Sequence, residues 1–299
     1  MKISTRSPWL LAPLLGAWSQ HAAAQCGPCG IPILELTAGA RPLGLGGAYV
    51  TGNGPNAVFH NPAQAGSVHG SIANVERIGD ATLGAFATTG SVGPFGVGAG
   101  VRILAGGLTG PFEDSTHLPG GAFVATAAVA RMVGGAWIGG SASYVTPELA
   151  GGGGAAFDVG AAARWFGLLI GVSVQNLGRD FKVGGNTQEL PRRVAVGISS
   201  PGAPIGTYFD LSASVEVSRE RGGAVIPKGG VELSYEPVSG WTLTARAGVR
   251  RIVARAGQFR QSSVTFGGSF ELDRVAIDYA FLPAVSGGSP AHSFALRIQ

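Results

Sequence analysis

From about residue 67 to the C-terminus the chain keeps a two-residue rhythm. In Phe209–Ser218 the residues Phe209, Leu211, Ala213, Val215 and Val217 alternate with Asp210, Ser212, Ser214, Glu216 and Ser218. Successive side chains of a strand point to opposite faces, so such a segment has one apolar and one polar face. Trp241–Arg250 repeats the pattern, with Trp241, Leu243, Ala245, Ala247 and Val249 set against Thr242, Thr244, Arg246, Gly248 and Arg250. So do Val264–Glu271, Arg274–Phe281 and, nearer the start, Gly96–Ile103. About fourteen such segments are predicted, near 68–79, 81–91, 94–105, 120–132, 134–147, 154–165, 167–177, 191–200, 206–218, 225–237, 239–252, 260–271, 272–282 and 290–299. The apolar stretch 120–140 has the length of a membrane helix, but Arg131 and the pair Gly134-Gly135 divide it into two strands around a tight turn.

The polar faces decide which β architecture is expected. They are rich in Gly and Ser and carry isolated charges of both signs, which suits an enclosed interior better than a water-exposed face. In a transmembrane β-barrel the apolar side chains face lipid and the polar ones line the lumen. Strands of about 9–11 residues then close into a cylinder, because lipid cannot satisfy an open edge. An even strand number places both chain ends on the periplasmic side. The long connections 106–119 and 178–190 are expected to be extracellular, and the tight ones at Gly134-Gly135 and Gly167 periplasmic. Tyr208, Phe209, Tyr235, Trp241, Phe270, Tyr279 and Phe281 lie at or near segment ends, where a barrel places its interfacial aromatics. The fold class expected is all-β, a transmembrane antiparallel barrel of about fourteen strands with an N-terminal plug. The competing architecture, a soluble periplasmic sandwich, would put the apolar faces in its core.

One stretch breaks the rhythm. Gly39–Gly66 has no alternation, is dense in glycine up to Gly54, and carries Arg41-Pro42 and Asn61-Pro62-Ala63. It is read as a compact segment folded inside the barrel. Composition agrees: Gly is 51 of 299 residues and charged residues are only 13%, against about 7% and 25% in ordinary soluble domains.

The N-terminus reads as a signal peptide, with Lys2 and Arg6 ahead of the apolar run Trp9–Trp18 and a small-residue cleavage site at Ala22-Ala23-Ala24. The expected organisation is signal peptide 1–24, plug segment 25–66 and barrel 67–299. Removing the leader takes away two cations and no acid from a formal charge of +4, so the basic balance is mild and implies no nucleic-acid partner. Cys26-Gly27-Pro28-Cys29 matches the thioredoxin motif letter for letter but lacks the strand before and helix after it; a local Cys26–Cys29 disulfide is expected. A lipidated Cys26 is disfavoured by Gln25, which stands where a small residue would be needed.

Catalytic chemistry is not apparent. His21, His60, His69, His117 and His292 show no metal-ligand spacing, and the Gly44–Gly47 cluster lacks the Lys-Ser/Thr ending of a phosphate loop. No enzyme activity, metal or cofactor is expected. The candidate functional residues are the inward charges Arg102, Arg193, Glu216, Glu232, Arg246, Arg250, Glu271, Arg274, Asp278 and Arg297. An unpaired charge in a closed lumen is costly, so most should be partnered, either holding the plug or anchoring the polar head of a ligand. Arg41 is expected to meet a wall acid such as Glu216 or Asp278, and Asn61 to bond its own backbone.

Gly39-Ala40-Arg41, Leu43-Gly44-Leu45-Gly46-Gly47-Ala48 and Asn61-Pro62-Ala63 resemble the N-terminal signature of the PorV/PorQ-like outer-membrane proteins, a family related to the FadL fatty acid channels. The likeness continues in order through Phe157-Asp158-Val159-Gly160, Ser173–Gly178, Leu190-Pro191-Arg192, Arg246–Arg250, Asp278–Phe281 and His292–Leu296. The resemblance implies a fourteen-stranded barrel whose plug includes Gly39, Ala40, Arg41, Gly44, Gly46, Gly47, Asn61, Pro62 and Ala63, located in the bacterial outer membrane. It implies two roles: FadL-like passage of fatty acids or other hydrophobic small molecules, or service to secretion-system proteins at the envelope. The chain departs from the family in ending Arg297-Ile298-Gln299 rather than in an aromatic residue. It also carries Asn53-Gly54-Pro55-Asn56 where acids are usual, so the plug is expected to be held by hydrogen bonds rather than ion pairs. Its short length implies trimmed loops, which favours the transport role, with outer-membrane lipid as the surrounding partner.

Overall fold

The computed structural model describes residues 31–106, 121–147, 152–183, 185–221, 225–253, 260–284 and 290–299. Cys26, Cys29, the leader and His117 lie outside the described residues. Fourteen strands form a closed antiparallel barrel among the described residues. They are β1 (Gly70–Ile78), β2 (Ala81–Val92), β3 (Phe95–Ala105), β4 (Ala122–Val133), β5 (Ala136–Thr146), β6 (Gly154–Trp165), β7 (Leu168–Leu177), β8 (Arg193–Ser199), β9 (Phe209–Glu220), β10 (Val225–Val238), β11 (Trp241–Val253), β12 (Arg260–Leu272), β13 (Val275–Leu282) and β14 (Ala291–Ile298). Each strand pairs with its sequence neighbour, and β14 returns to β1 from Ser71↔Ile298 to Ile78↔Ala291.

The side-chain distribution is inverted relative to a soluble sheet. Outward Val75, Val231, Ile277 and Phe294 are 56, 46, 57 and 56% exposed, whereas inward Ser218, Thr265, Asp278 and Ser293 are 0% exposed. The alternation in the sequence therefore describes an apolar outside and a polar inside, the arrangement that a lipid-facing barrel requires.

The connections divide between two ends. At one end lie the two-residue turns Gly93-Pro94, Gly134-Gly135, Phe166-Gly167, Ser239-Gly240 and Asp273-Arg274, together with the beginning of β1 and the C-terminal Gln299. At the other lie the tight hairpin Gly79-Asp80 and residues 185–192 ahead of β8. We call these the turn end and the loop end. Two small features escape the alternation pattern: a hairpin of Phe181–Val183 with Asn186–Gln188 at the loop end, and a short strand Ala203–Ile205 added beside Phe209–Leu211 at the turn end. The expected aromatic grouping divides between the two ends. Tyr208, Phe209, Tyr235, Trp241 and Phe270 make a ladder of ring contacts at the turn end. Tyr279 and Phe281 instead pack on His292.

Residues 31–66 contain no strand. Their elements are short: α1 (Pro32–Glu35), α2 (Ala40–Gly44) and the 3-10 turns Pro55–Phe59 and Pro62–Gln64. Eight strands already make a barrel that side chains can fill, so fourteen leave a bore that something else must occupy. Residues 31–66 occupy it. Their hydrogen bonds reach Asn74 on β1, Arg102 on β3, Ala161 on β6, Gln175 on β7, Glu216 on β9, Glu232 on β10 and Thr265 on β12. Only a segment inside the cylinder can touch walls on all its sides.

Candidate functional site

The interior segment enters at the loop end and descends to the turn end, where β1 begins. It passes through three zones of different chemistry.

At the loop end, Ile31 and Ile33 are wholly buried in an apolar chamber walled by Leu83, Leu104, Val124, Val145 and Leu190. Below it the lumen turns polar. Arg102 donates from Nη1 to the carbonyl oxygen of Ile33 (3.0 Å), and its guanidinium carbon lies 5.0 Å from the Phe59 ring centroid. A cavity of ≈ 20 Å³ beside it is bordered by Thr126, Ser143, Asp158, Gln175 and Arg193, room for one water.

The middle zone fixes the segment to the wall through two sets of charges. Arg41 binds Glu232 in fork geometry, Nε to Oε2 at 3.1 Å and Nη2 to Oε1 at 2.9 Å. Glu232 also accepts from Arg246, Arg246 bonds Asp278 at 3.1 Å, and Arg297 bonds Glu271 at 2.7 Å. Arg297 stands 3.5 Å from Asp278 as an ion contact without hydrogen-bond geometry. The result is a chain of alternating sign from Arg41 to Glu271. Charge-assisted, two-pronged bonds of this kind are the stronger ones.

The second set centres on Glu216. Its Oε2 accepts the backbone N–H groups of Tyr49 and Val50, both at 2.9 Å, and its Oε1 takes Lys228 (3.0 Å) and Arg193. The expectation for the plug is corrected here. Arg41 pairs with Glu232 rather than Glu216 or Asp278, and ion pairs hold the segment alongside hydrogen bonds. The acids that matter stand on the wall, so the loss of acids at Asn53–Asn56 does not remove them. Asn53 instead accepts from Arg41 Nη1 (2.8 Å), and Asn56 accepts from Asn74 (3.2 Å).

Glycines on the wall shape the seat. Gly139 meets the backbone of Pro62, Gly160 the Asn61 side chain, Gly171 the Val50 carbonyl, Gly230 the Leu45 backbone, Gly248 the Gly46 nitrogen and Gly267 the Gly44 Cα. A Cβ at Gly248 would overlap the segment's main chain. The Gly-rich polar faces of the sequence are thus a collar against which the segment's backbone lies. Residues of wall and segment complete the fit. Thr265 Oγ1 accepts from Gly46 N–H (3.0 Å) and donates to Gly44 O (3.1 Å). Gly39 stands at φ 112, where a Cβ would strike Asn56. Asn61 caps the last turn by accepting from Ala63 N–H (3.1 Å) and donates to Val50 O (2.7 Å).

The motifs Phe157–Gly160, Ser173–Gly178 and Leu190–Arg192 meet at one bulge. Asn176 has φ 58, its N–H donates to Asp158 (2.7 Å) and its side chain to Pro191 O (2.9 Å). Gln175 donates to Phe59 O (3.1 Å), so the bulge aims a side chain at the interior segment.

At the turn end a cavity of ≈ 250 Å³ lies between the segment and β7–β10. It is bordered by Arg41, Tyr49, Asn53, Arg164, Ser214 and Glu232. Its lining is mixed, with Leu45, Ala48 and Leu169 beside the polar groups.

Among the expected lumen residues, Arg102, Arg193, Glu216, Glu232, Arg246, Arg250, Glu271, Asp278 and Arg297 lie as described, with Arg250 donating to Thr37 Oγ1 (3.5 Å). Arg274 does not join them. It is exposed in the turn Asp273-Arg274, because the strand begins one residue later than the alternation suggested. Sequence reasoning missed Lys228, Glu76, Asn74 and Gln175, all inward by the same period-two register that placed Glu232. It placed the wall glycines on the polar faces but not against the segment's backbone, because they carry no chemical group that names a partner. Among the described residues no cluster of His, Cys, Asp and Glu could hold a metal ion.

No family model matches the chain, and neither does any curated protein. Solved structures do match. The Pseudomonas putida toluene transporter TodX aligns over 87% of this chain and 96% of its own, at TM-score 0.54 and 13% identity. The CymD monoaromatic hydrocarbon channel aligns over 87% and 97%, at TM-score 0.58 and 13% identity. At this identity the likeness establishes the fold: a closed fourteen-stranded barrel with a non-strand segment at its N-terminus.

Proposed function

We propose that this protein is a FadL-like channel of the bacterial outer membrane that takes up hydrophobic small molecules at its loop end, with residues 31–66 as its plug. The observation that carries the reading is the apolar chamber of Leu83, Leu104, Val124, Val145 and Leu190, occupied by Ile31 and Ile33. This apolar cluster stands at the loop end, remote from the start of β1 and from the C-terminus, and is separate from a second buried apolar cluster around Leu43, Val58, Phe59 and Ile72. The fold shared with TodX and CymD, whose names give toluene and monoaromatic hydrocarbons, supports the same class of ligand. The resemblance to the PorV/PorQ-like proteins adds a second reading, support of protein secretion; the motifs that carry part of it, Phe157–Gly160, Ser173–Gly178 and Leu190–Arg192, come together at the bulge around Asn176.

The test is binding to the purified protein in detergent. Monoaromatic hydrocarbons and fatty acids are expected to bind, more tightly to Ile31→Ala/Ile33→Ala and not to Leu104→Glu. Failure of every apolar ligand with all three proteins, together with recovery of secretion proteins on an affinity-tagged copy, would transfer the assignment to the second reading.

A further inference from the structure

Glu76 of β1 points into the lumen and is 3% exposed, yet its Oε2 has no hydrogen-bond partner among the described residues. A carboxylate oxygen buried in that state is costly and calls for an explanation. Its neighbours share the condition. Ser293 on β14 is its register partner, and Ser293 Oγ is also unpartnered. The cation whose charge acts on Glu76 is Arg250 of β11, and no hydrogen bond joins the two. Arg250 donates from Nη1 to Thr37 Oγ1 (3.5 Å) and keeps a buried Nε without a partner. Ser263, opposite Arg250 on β12, is the fourth buried group left in this way. One side of the lumen, on β11, β12, β14 and β1, therefore holds a carboxylate, a guanidinium and two hydroxyls with unused bonding capacity.

The setting of Glu76 is otherwise apolar. Leu83, its register partner on β2, lines the loop-end chamber. Ile78, Leu282 and Ala291 belong to the second apolar cluster, and Leu36 of the interior segment packs against both. Inward side chains directly opposite on neighbouring strands have Cβ atoms about 5 Å apart. Glu76 thus stands at the edge of the chamber that Ile31 and Ile33 fill. A molecule taking their place would lay its apolar body against Leu83, with its end within reach of the carboxylate.

The charges decide which polar end fits. Glu76 repels an anionic head, and Arg250 repels an ammonium. A bare hydrocarbon leaves both groups unpaired. A neutral hydroxyl is both donor and acceptor, so it can donate to Glu76 Oε2 and accept from Arg250 Nε.

We infer that Glu76 and Arg250 form a polar subsite at the edge of the loop-end chamber for the hydroxyl of an apolar alcohol or phenol. This rests on the channel reading above and narrows its substrate class to neutral hydroxylated molecules. The apolar chamber supplies the affinity, and the subsite supplies the choice among molecules of one shape.

The experiment is calorimetric titration of the full mature chain in detergent at pH 7, and of Ile31→Ala/Ile33→Ala, in which the chamber is partly emptied. The probes are p-cresol, toluene and p-toluate, alike in size and different in polar end. In a wholly apolar chamber toluene would bind best, because the hydroxyl of p-cresol would lose its hydration without replacement. The subsite reverses that order: p-cresol is expected to bind about tenfold tighter than toluene, and p-toluate most weakly. Adding Glu76→Leu should return the preference to toluene while toluene itself still binds. Glu76→Gln, which keeps an acceptor oxygen without the charge, should retain part of the preference for p-cresol. Toluene or p-toluate binding as tightly as p-cresol, or a p-cresol preference untouched by Glu76→Leu, would overturn the subsite and leave the channel reading standing. Binding of none of the three to either chain would overturn the channel reading and the subsite with it.

Discussion

Glu216 couples more of the molecule than any other side chain described. One carboxylate oxygen holds two backbone N–H groups of the interior segment and the other holds two cations of the wall. Removing one member of such a buried set leaves the rest uncompensated, which costs about 3–5 kcal/mol. Glu216→Ala is therefore expected to lower the denaturation midpoint and to expose residues 45–55 to protease, while Glu216→Gln, which keeps an acceptor for Tyr49 and Val50, loses less. His60 makes a different prediction. Burial, reinforced by the nearby Arg193 charge, pushes its imidazole down to about 3 from the ordinary 6.5. The unfolded chain then takes up a proton first as the pH falls, so the folded state loses stability progressively below about pH 6.5 and down to about 3. Hydrogen exchange of segment 31–66 at pH 7 and pH 5 should show faster opening at pH 5. In His60→Asn the contribution of this residue to that difference should vanish.

At the scale of elements, the collar of wall glycines is the part that a conservative change would damage most. A side chain at Gly248 has no room, since the segment's backbone passes there, whereas a Cβ at outward Gly84 meets only Ile103 O at 4.0 Å. Gly248→Val is expected to cost about 1–3 kcal/mol by overpacking and to release the segment to protease. Gly84→Val on the lipid face should leave both readouts unchanged. These elements also mark what could be read without coordinates. The strands were legible because period two is written in every one, and Phe209–Glu220 differs from its expected bounds by only a few residues. The interior location of Gly39–Gly66 was legible from its break in that pattern. Its partners were not. Arg41 had three inward acids within the lumen to choose among, Glu216, Glu232 and Asp278, and the choice of Glu232 depends on the turn of α2, which leaves no trace in spacing. The glycine collar was legible as a face, since the polar positions are Gly-rich, but not as a seat: a residue without a side chain advertises no partner.

The whole molecule is a closed wall around a segment of its own chain, and the order of synthesis gives that arrangement a consequence for assembly. Residues 31–66 precede every strand of the barrel, yet their anchors at Glu216, Glu232 and Thr265 lie in the last third of the sequence. Enclosure is finished only when Ile298 settles beside Ser71. Contacts so distant in sequence form slowly because their loop entropy is lost before they are rewarded. The segment touches the wall on all sides with no clearance at the glycines, so it cannot be threaded into a finished cylinder. It behaves as a former, on which the sheet is wrapped before the ends are joined. A 31–66 peptide added during refolding of a chain that lacks it is therefore expected to be captured and to raise the yield of folded barrel, while the same peptide added after closure should remain in solution.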